Sequence, residues 1–327
     1  MHRSILFASG AGAFAAVVFL TACAPDAFTD DAGPSDGAIE SSVDGNIDSA
    51  DGGTCRGVFS APTLVLAHTA GFIVDSFTVT TDERNAFVTL TPPNSTTEQR
   101  KVYALKRAST SDVFTIDTSQ PVALTNVGPT PGAFDVGLSA DALTLYFSHE
   151  QTPDGGALDV DIYQAQRAAV GAPFTTTSKF GPGVNDPTTN QFHARPAGPN
   201  LYFTVAQIVN GAQGARDLYM APLNGGARAP IAELNGSTTQ EADPVPSSDE
   251  LEIFFSSNRA DTDAGQNLVY GARRTSAALT FAPPVIVPLP VGNPTFDVTP
   301  QYLSPDGCRL YVLVNREDVF VSRRGAL

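Results

Sequence analysis

The chain has 327 residues, with 34 Asp and Glu against 19 Lys and Arg, which gives a net charge of −15 and a pI near 4.5. This composition, with 42% hydrophobic residues, excludes a collagen, a coiled coil and a wholly disordered chain. So few basic residues do not supply the positive surface that phosphate-backbone binding requires, and no nucleic acid partner is expected.

Residues 1–22 have the pattern of a secretory signal peptide. His2 and Arg3 come first, an apolar stretch follows over residues 5–20, and the sequence then reads Leu-Thr-Ala-Cys up to Cys23. This apolar stretch is short for a membrane-spanning helix, so export with cleavage is predicted. The alternative for Cys23 is an accidental cysteine beside an ordinary cleavage site.

The Leu-Thr-Ala-Cys sequence resembles the lipobox of bacterial lipoproteins. The resemblance implies cleavage before Cys23 and lipid attached to it, so that the protein would be anchored to a membrane. Ala24 stands where inner-membrane lipoproteins often carry Asp, which favours the outer membrane over the inner.

Residues 23–54 are predicted to be the lipidated cysteine and a tether. From residue 24 onward the stretch is rich in Ala, Asp, Gly, Ser and Pro, with eight acidic residues and no Lys or Arg. Such a segment buries too little apolar surface to offset the entropy of ordering it, so a disordered, acidic linker is expected. The linker supplies −8 of the charge, and residues 55–327 supply another −8 from 18 basic and 26 acidic residues.

Residues 55–327 contain a phrase that recurs five times. Each copy has a polar turn followed by a short apolar run, and a second short β-rich phrase comes after a loop. Taking one apolar residue of each run as equivalent, the steps between copies are 59, 56, 52 and 57 residues. The equivalent residues are Val88, Phe147, Phe203, Phe255 and Val312. Strands at this spacing predict an all-β fold, a single β-propeller with five four-stranded blades, with six blades as the alternative.

Turn chemistry explains the phrase. In Ser304-Pro305-Asp306-Gly307 the proline presets φ, the aspartate can bond nearby backbone and the glycine accepts a positive φ, so the innermost strand can reverse into the second. The turn residues singled out across the copies are Asp82, Asp141, Asp249, Pro305, Asp306 and Gly307. The phrase resembles the WD-repeat-like unit of TolB-type β-propellers, closely around Asp141, Asp249 and Asp306, partly around Asp82 and loosely around Gly198.

The two ends of the repeat predict how the ring closes. Residues 281–289 read as the outermost strand of the fourth blade, and the fifth blade has no such segment after it. Residues 59–66 carry the same Phe-x-x-Pro pattern, so this N-terminal strand is expected to complete the last blade. Cys55 and Cys308 then fall at one end of that blade, and a disulfide between them is predicted, with two unpaired thiols as the alternative.

Catalytic and metal-binding patterns are sparse. The three His after the signal, His68, His149 and His193, belong to no recognised catalytic or zinc motif. His149-Glu150 is interpreted as a solvated loop at a strand end. Asp261 and Asp263 resemble the start of a calcium loop, but Ala272 stands where that loop needs its Glu. No cofactor or resident metal is expected.

One set of residues falls near the starts of the predicted innermost strands, where a propeller has the mouth of its channel. The set is Asp75, Asp135, His193, Asp243 and Asp297. Five-bladed glycosidases use channel carboxylates as acid, base or nucleophile. An Asp before a strand also commonly bonds local backbone, and this structural role is favoured over catalysis.

Two functions follow. The favoured one is a monomeric, non-catalytic binding module at the bacterial cell envelope, which would hold a partner protein or an envelope glycan on the face formed by loops 91–100, 150–159 and 205–216. The alternative is a glycan hydrolase that uses the channel carboxylates. The absence of Trp argues mildly against a stacking platform for sugars.

Overall fold

The structure, a computed structural model, describes residues 55–67, 71–92, 100–124, 132–151, 159–209, 212–259, 266–291 and 296–325. These residues form five four-stranded antiparallel sheets. In chain order the strands are β1 Thr63–Leu66, β2 Ile73–Val79, β3 Asn85–Thr91, β4 Lys101–Lys106, β5 Thr115–Pro121, β6 Ala133–Leu138, β7 Thr144–Gln151, β8 Asp159–Gln166, β9 Thr176–Lys179, β10 Thr189–Ala197, β11 Asn200–Val209, β12 Ala212–Pro222, β13 Ala229–Pro230, β14 Glu241–Pro246, β15 Glu252–Ser257, β16 Leu268–Arg273, β17 Val285–Ile286, β18 Val298–Leu303, β19 Arg309–Val314 and β20 Asp318–Arg323.

Each sheet is one blade. Blades 1 to 4 are β2–β5, β6–β9, β10–β13 and β14–β17, and blade 5 is β18, β19, β20 and β1. The innermost strands β2, β6, β10, β14 and β18 contact one another in that order, and β18 contacts β2 again. The ring is therefore a closed five-bladed β-propeller, which confirms the predicted fold class and blade count.

The five residues used to set the repeat period occupy the second strand of each blade. Val88, Phe147, Phe203, Phe255 and Val312 are all 0% exposed. Since each blade packs on both neighbours, its central strands are buried on both faces and read as nearly continuous apolar runs. No helix in the described part of the chain has the length and apolar character of a membrane span.

The turn between the first and second strands follows one hydrogen-bond scheme in four blades. A Ser or Thr hydroxyl donates to the Asp two residues later at 2.5–2.6 Å, and that Asp accepts from the backbone N–H two residues further on at 2.9–3.0 Å. The aspartates are Asp82, Asp141, Asp249 and Asp306. At Asp141 the hydroxyl of Ser139 is the main cause of a lowered pKa. Gly307 has a φ of 68°, the positive value expected for the last position of its turn.

In four blades, an arginine that directly follows the third strand stabilises this turn by a hydrogen bond. Its Nε donates to the carbonyl of the positive-φ turn residue at 2.6–2.8 Å, and its guanidinium lies 4.3–5.0 Å from the centre of a Phe ring. These arginines are Arg107, Arg167, Arg274 and Arg324. Leu223 takes the same backbone position in blade 3, which accounts for the looser repeat there. This contact is not apparent from the sequence, because the arginine lies far from the turn in the chain.

The ring closes through the N-terminal strand. β1 pairs antiparallel with β20, with Thr63 opposite Val321, so blade 5 is completed from the start of the propeller as predicted. Cys55 and Cys308 form a disulfide with their Cα atoms 4.9 Å apart, which confirms the predicted pair. The outermost strand of blade 4 is shorter than residues 281–289, since only Val285–Ile286 pairs with β16.

Candidate functional site

The innermost strands of blades 1 to 4 each carry a β-bulge, and the candidate residues lie in these bulges. The register shifts at Asp75 in β2, Asp135 in β6, His193 in β10 and Asp243 in β14. Asp297 differs, because it precedes β18 and lies outside that strand's bulge. Bulges commonly re-aim a side chain next to a functional site.

Three of these bulge residues share a backbone conformation that is costly for anything other than glycine. Asp135, His193 and Asp243 have φ values of 55°, 54° and 54°. Non-glycine residues in this left-handed region cost of order 1–3 kcal/mol each, and they concentrate at functional sites. Three consecutive blades therefore have the same strained backbone conformation at the bulge residue of the innermost strand.

All five candidates line one cavity of about 390 Å³ at the channel mouth. The charged groups in its wall are Asp75, Arg100, Asp135, Glu150, His193, Arg216, Asp243, Asp297 and Arg316. Uncharged polar side chains of Asn190, Gln240, Ser256, Asn267 and Thr299 complete much of the lining. Every blade contributes, so the cavity exists only in the closed ring.

His193 joins two of the carboxylates. Its Nε2 lies 3.1 Å from Oδ1 of Asp135 and 2.9 Å from Oδ1 of Asp243, so side chains from blades 2, 3 and 4 form one ion triad. The second oxygen of Asp243 accepts from the hydroxyl of Ser256 at 2.6 Å. Nδ1 of His193 is buried and has no hydrogen-bond partner among the described residues.

The triad shifts the pKa values of its members. Burial opposes protonation of His193, but the two carboxylates outweigh it and raise its pKa to about 9. Burial also opposes ionisation of Asp243, yet His193 prevails and the pKa of Asp243 falls to about 2. Arg195 lies close enough for the charges of Asp135 and Asp243 to act on it, although burial lowers its pKa to about 10. Near neutral pH the site therefore contains a charged imidazolium and an ionised Asp243.

The remaining two candidates are tied to neighbouring loops. Asp75 forms an ion pair with Arg316 and accepts a hydrogen bond from the hydroxyl of Thr91. Asp297 accepts from the backbone N–H of Asn267 at 2.9 Å through Oδ1. The Asp297 bond is to backbone, but its donor lies 30 positions away in the preceding blade, so it is not the local bond that was expected for these aspartates.

Four further charged residues of the site, Arg316 among them, were not singled out from the sequence as site residues. Arg100, Glu150 and Arg216 stand at ends of the three loops expected to form the binding face, and the structure places all three at the cavity. The guanidinium of Arg100 lies 4.2 Å from the ring centre of Phe134, and that of Arg216 lies 5.5 Å from the ring centre of Phe192. The middles of these loops lie outside the described residues. The boundaries of the predicted loops indicated where these residues would lie. Which end residue of each loop faces the channel depends on how the ring closes.

The interpretation of His149-Glu150 as a solvated loop is wrong. Both residues belong to β7, and they are 2% and 8% exposed. The strand runs further toward the channel than its sequence suggests, because it pairs with β8 as far as Gln151 opposite Asp159. Glu150 thereby becomes part of the cavity wall.

Several predictions concern residues outside the described ranges. These are the lipidation site Cys23, the signal and linker, His68, and the calcium candidates Asp261 and Asp263. Among the described residues, no group of three or more His, Cys, Asp or Glu side chains has the arrangement of a metal site.

No known family profile matches the sequence, and no curated protein resembles it in sequence. Solved structures are similar in fold. TolB from Acinetobacter baumannii is 13% identical with a TM-score of 0.41, over 77% of this chain and 55% of that one, so this chain spans about half of its length. β-1,2-Mannobiose phosphorylase from Listeria innocua is 11% identical with a TM-score of 0.48, over 82% and 92% of the two chains. An α-L-arabinanase from Penicillium chrysogenum is 11% identical with a TM-score of 0.44, over 81% and 98%.

Similarity at this level carries no information about substrate or partner. The strand pairing and the cavity themselves define the class: a disulfide-closed, five-bladed β-propeller with a charged, polar site at the mouth of its channel.

Proposed function

We propose that this protein is an exported, lipid-anchored binding module of the bacterial cell envelope, and that its channel cavity holds an envelope glycan without hydrolysing it. The signal and the lipobox at Cys23 support the location. The Cys55–Cys308 disulfide agrees with an oxidising compartment outside the cytoplasm.

The triad is the observation that carries the non-catalytic part of the proposal. Glycoside hydrolysis by the common route needs two carboxyl groups, one of which must be protonated to act as the general acid. Asp135 and Asp243 are both paired with the same imidazolium, and the low pKa of Asp243 keeps it ionised. Arg316 and Thr91 hold Asp75 in the same way. Each of these three carboxylates is therefore engaged by protein groups, and Asp243 is ionised near neutral pH.

The rest of the lining suits a hydroxyl-rich ligand. Asn190, Gln240 and Asn267 offer amide groups that can both donate to and accept from sugar hydroxyls. The cavity is concave and preformed by five rigid blades, which lowers the entropy cost of ordering a site around a small ligand. A protein partner with a flat surface would contact the loops around the mouth of the channel and would not reach the residues inside the cavity.

One observation favours the hydrolase as the second candidate. Glu150 is 8% exposed in the cavity wall, and its carboxylate makes no hydrogen bond or ion pair with the described residues. A carboxyl group in such a position can serve either as a ligand for sugar hydroxyls or as an acid in catalysis, so the test must separate these roles.

We expect the purified mature protein to bind oligosaccharides from an envelope glycan panel and to release no sugar from them. Glu150→Gln should weaken binding about tenfold, since the loss of one charge-assisted hydrogen bond costs about 1.5 kcal/mol. Glu233→Gln is the matched control, because Glu233 lies outside the cavity and its Oε1 accepts only from the backbone N–H of Phe281. Isothermal titration and reducing-sugar release measure the two properties.

Sugar release by the wild type that disappears in Asp135→Asn, Asp243→Asn or Glu150→Gln would establish the hydrolase instead. Retention of envelope peptides with no saccharide bound would keep a binding module but remove the glycan. A mature protein that retains neither would refute the proposed function as a whole.

Anchoring has a separate test. Replacing Cys23 by Ser removes the thiol that would carry the lipid, so the protein should move from the membrane fraction to the soluble fraction. Fractionation with immunoblotting measures this. An unchanged membrane fraction in Cys23→Ser would contradict the lipobox interpretation.

A further inference from the structure

Arg100 is a cation of the cavity wall whose hydrogen bonds to the described residues are incomplete. Its Nε lies 3.7 Å from Oδ2 of Asp75, which is an ion-pair distance but too long for a hydrogen bond. Both oxygens of that carboxylate are already engaged, one by Arg316 and the other by the hydroxyl of Thr91. Asp75 therefore attracts Arg100 without satisfying its donors.

The side chain is nevertheless held in place. It is 16% exposed, its guanidinium lies over the face of Phe134, and its Nε is buried with no hydrogen-bond partner among the described residues. A guanidinium stacked on a ring keeps its N–H groups pointing outward in a fixed fork. A largely buried cation with unused donors is costly unless an acceptor meets it.

The ion pairs between the other charged groups of the cavity leave Arg100 with N–H donors for that acceptor. The carboxylates of Asp135 and Asp243 face His193 and Arg195, and Asp75 pairs with Arg316. Glu150 makes no ion pair with Arg100 in the described structure, although both line the cavity. A single planar carboxylate matches the fork of one guanidinium. A doubly charged group such as phosphate would meet stronger repulsion from the surrounding carboxylates.

We infer that Arg100 forms the subsite for a carboxylate borne by a sugar ring, so that the cavity selects acidic saccharides over neutral ones. The inference rests on the proposed glycan-binding function and names its ligand class. The hydroxyls of the same ring would meet the amide and hydroxyl groups of Gln240, Asn267 and Ser256 on the opposite wall.

Matched sugars test this subsite. The probes are oligosaccharides that end in glucose or glucuronate, in galactose or galacturonate, and in N-acetylglucosamine or N-acetylmuramic acid, titrated calorimetrically into the full mature chain. At least one acidic member should bind ten times or more tighter than its neutral partner, because a bidentate Arg–carboxylate pair adds directional hydrogen bonds to charge. Added salt should reduce this preference.

Variants assign the preference to the residue. Arg100→Gln should abolish it while neutral sugars still bind, and Arg100→Lys should retain only a small part of it because lysine lacks the fork. Arg273→Gln is the matched control, since Arg273 is 47% exposed at a pair with Glu252 outside the cavity. Circular dichroism and thermal unfolding check that each variant is folded.

The outcomes separate the two levels of the proposal. Equal binding of acidic and neutral sugars, or a preference unchanged in Arg100→Gln, would overturn the Arg100 subsite and leave glycan binding intact. Binding of a peptide with a free terminal carboxylate and of no saccharide would overturn the sugar as carrier of the acid. Failure of the wild type to bind any probe would overturn both the subsite and the glycan-binding function.

Discussion

Replacing Cys308 by Ser should lower the free energy of unfolding by about 5 kcal/mol, in line with the entropic effect of a cross-link that closes so long a loop. The two cysteines are 253 positions apart, so the disulfide restricts nearly the whole propeller in the unfolded state. It also holds the segment that leads into β1, a strand of four residues that completes blade 5. Without the bond, β1 is retained by its pairing with β20, by the burial of Val65 and Leu66 in the core, and by the packing of Phe59 on Phe254, whose ring centres are 5.7 Å apart.

Urea unfolding of Cys55→Ser, Cys308→Ser and the double variant measures this, in a chain that also carries Cys23→Ser so that no other thiol interferes. The three variants should lose the same stability, and dithiothreitol should bring the parent chain to the same value. A loss below about 1 kcal/mol in each would show that closure depends on strand pairing and packing alone.

The fold was predictable because its signals are local and repeated. A Ser or Thr two residues before an Asp defines the turn around Asp141, Asp249 and Asp306, and the same side-chain bonds recur there in the structure. The closing strand was predictable from the Phe-x-x-Pro pattern, and the disulfide followed from that strand. These inferences need only turn chemistry and the up-and-down order of strands within a blade.

The site was predictable only in part, because its residues meet through ring closure. The bulge residues were expected near the channel, but their positive φ values were not, since Asp135, His193 and Asp243 are not glycines. A Cβ on Gly137 would lie 2.1 Å from the carbonyl oxygen of Ala194, so blades 2 and 3 meet too closely there for any side chain. Nothing in the local sequence at Gly137 reveals its neighbour, which lies 57 positions away.

The same reason explains the missed cations. Asn258-Arg259 and Asn315-Arg316 each directly follow the second strand of their blade, yet Arg316 pairs with Asp75 in the cavity and Arg259 pairs with Glu241 at 3.0 Å. Their roles diverge because different neighbours face them in successive blades. Repetition therefore identifies the blade but not the chemistry of each copy.

His193→Gln should destabilise the fold by about 3 kcal/mol at pH 7, and the difference from the wild type should disappear by about pH 10. The pKa of His193 is about 9 in the folded protein against an ordinary value of 6.5. Because the folded-state value is the higher one, protonated His193 stabilises the fold in full below pH 6.5, and this contribution is lost as the pH rises through about 9. At about 1.4 kcal/mol per pKa unit, the contribution is of order 3 kcal/mol.

The groups that face the imidazole give this prediction its controls. Asp135 and Asp243 raise its pKa, so Asp243→Asn should bring the NMR titration of His193 back toward 6.5 by at least one unit. Urea unfolding from pH 6 to pH 10 compares wild type and His193→Gln directly. A stability difference that stays constant to pH 10 would mean that His193 acts by packing and not by charge. Equal stability at pH 7 would mean that Arg195 alone neutralises the two carboxylates, and His193 would then be free to serve the ligand.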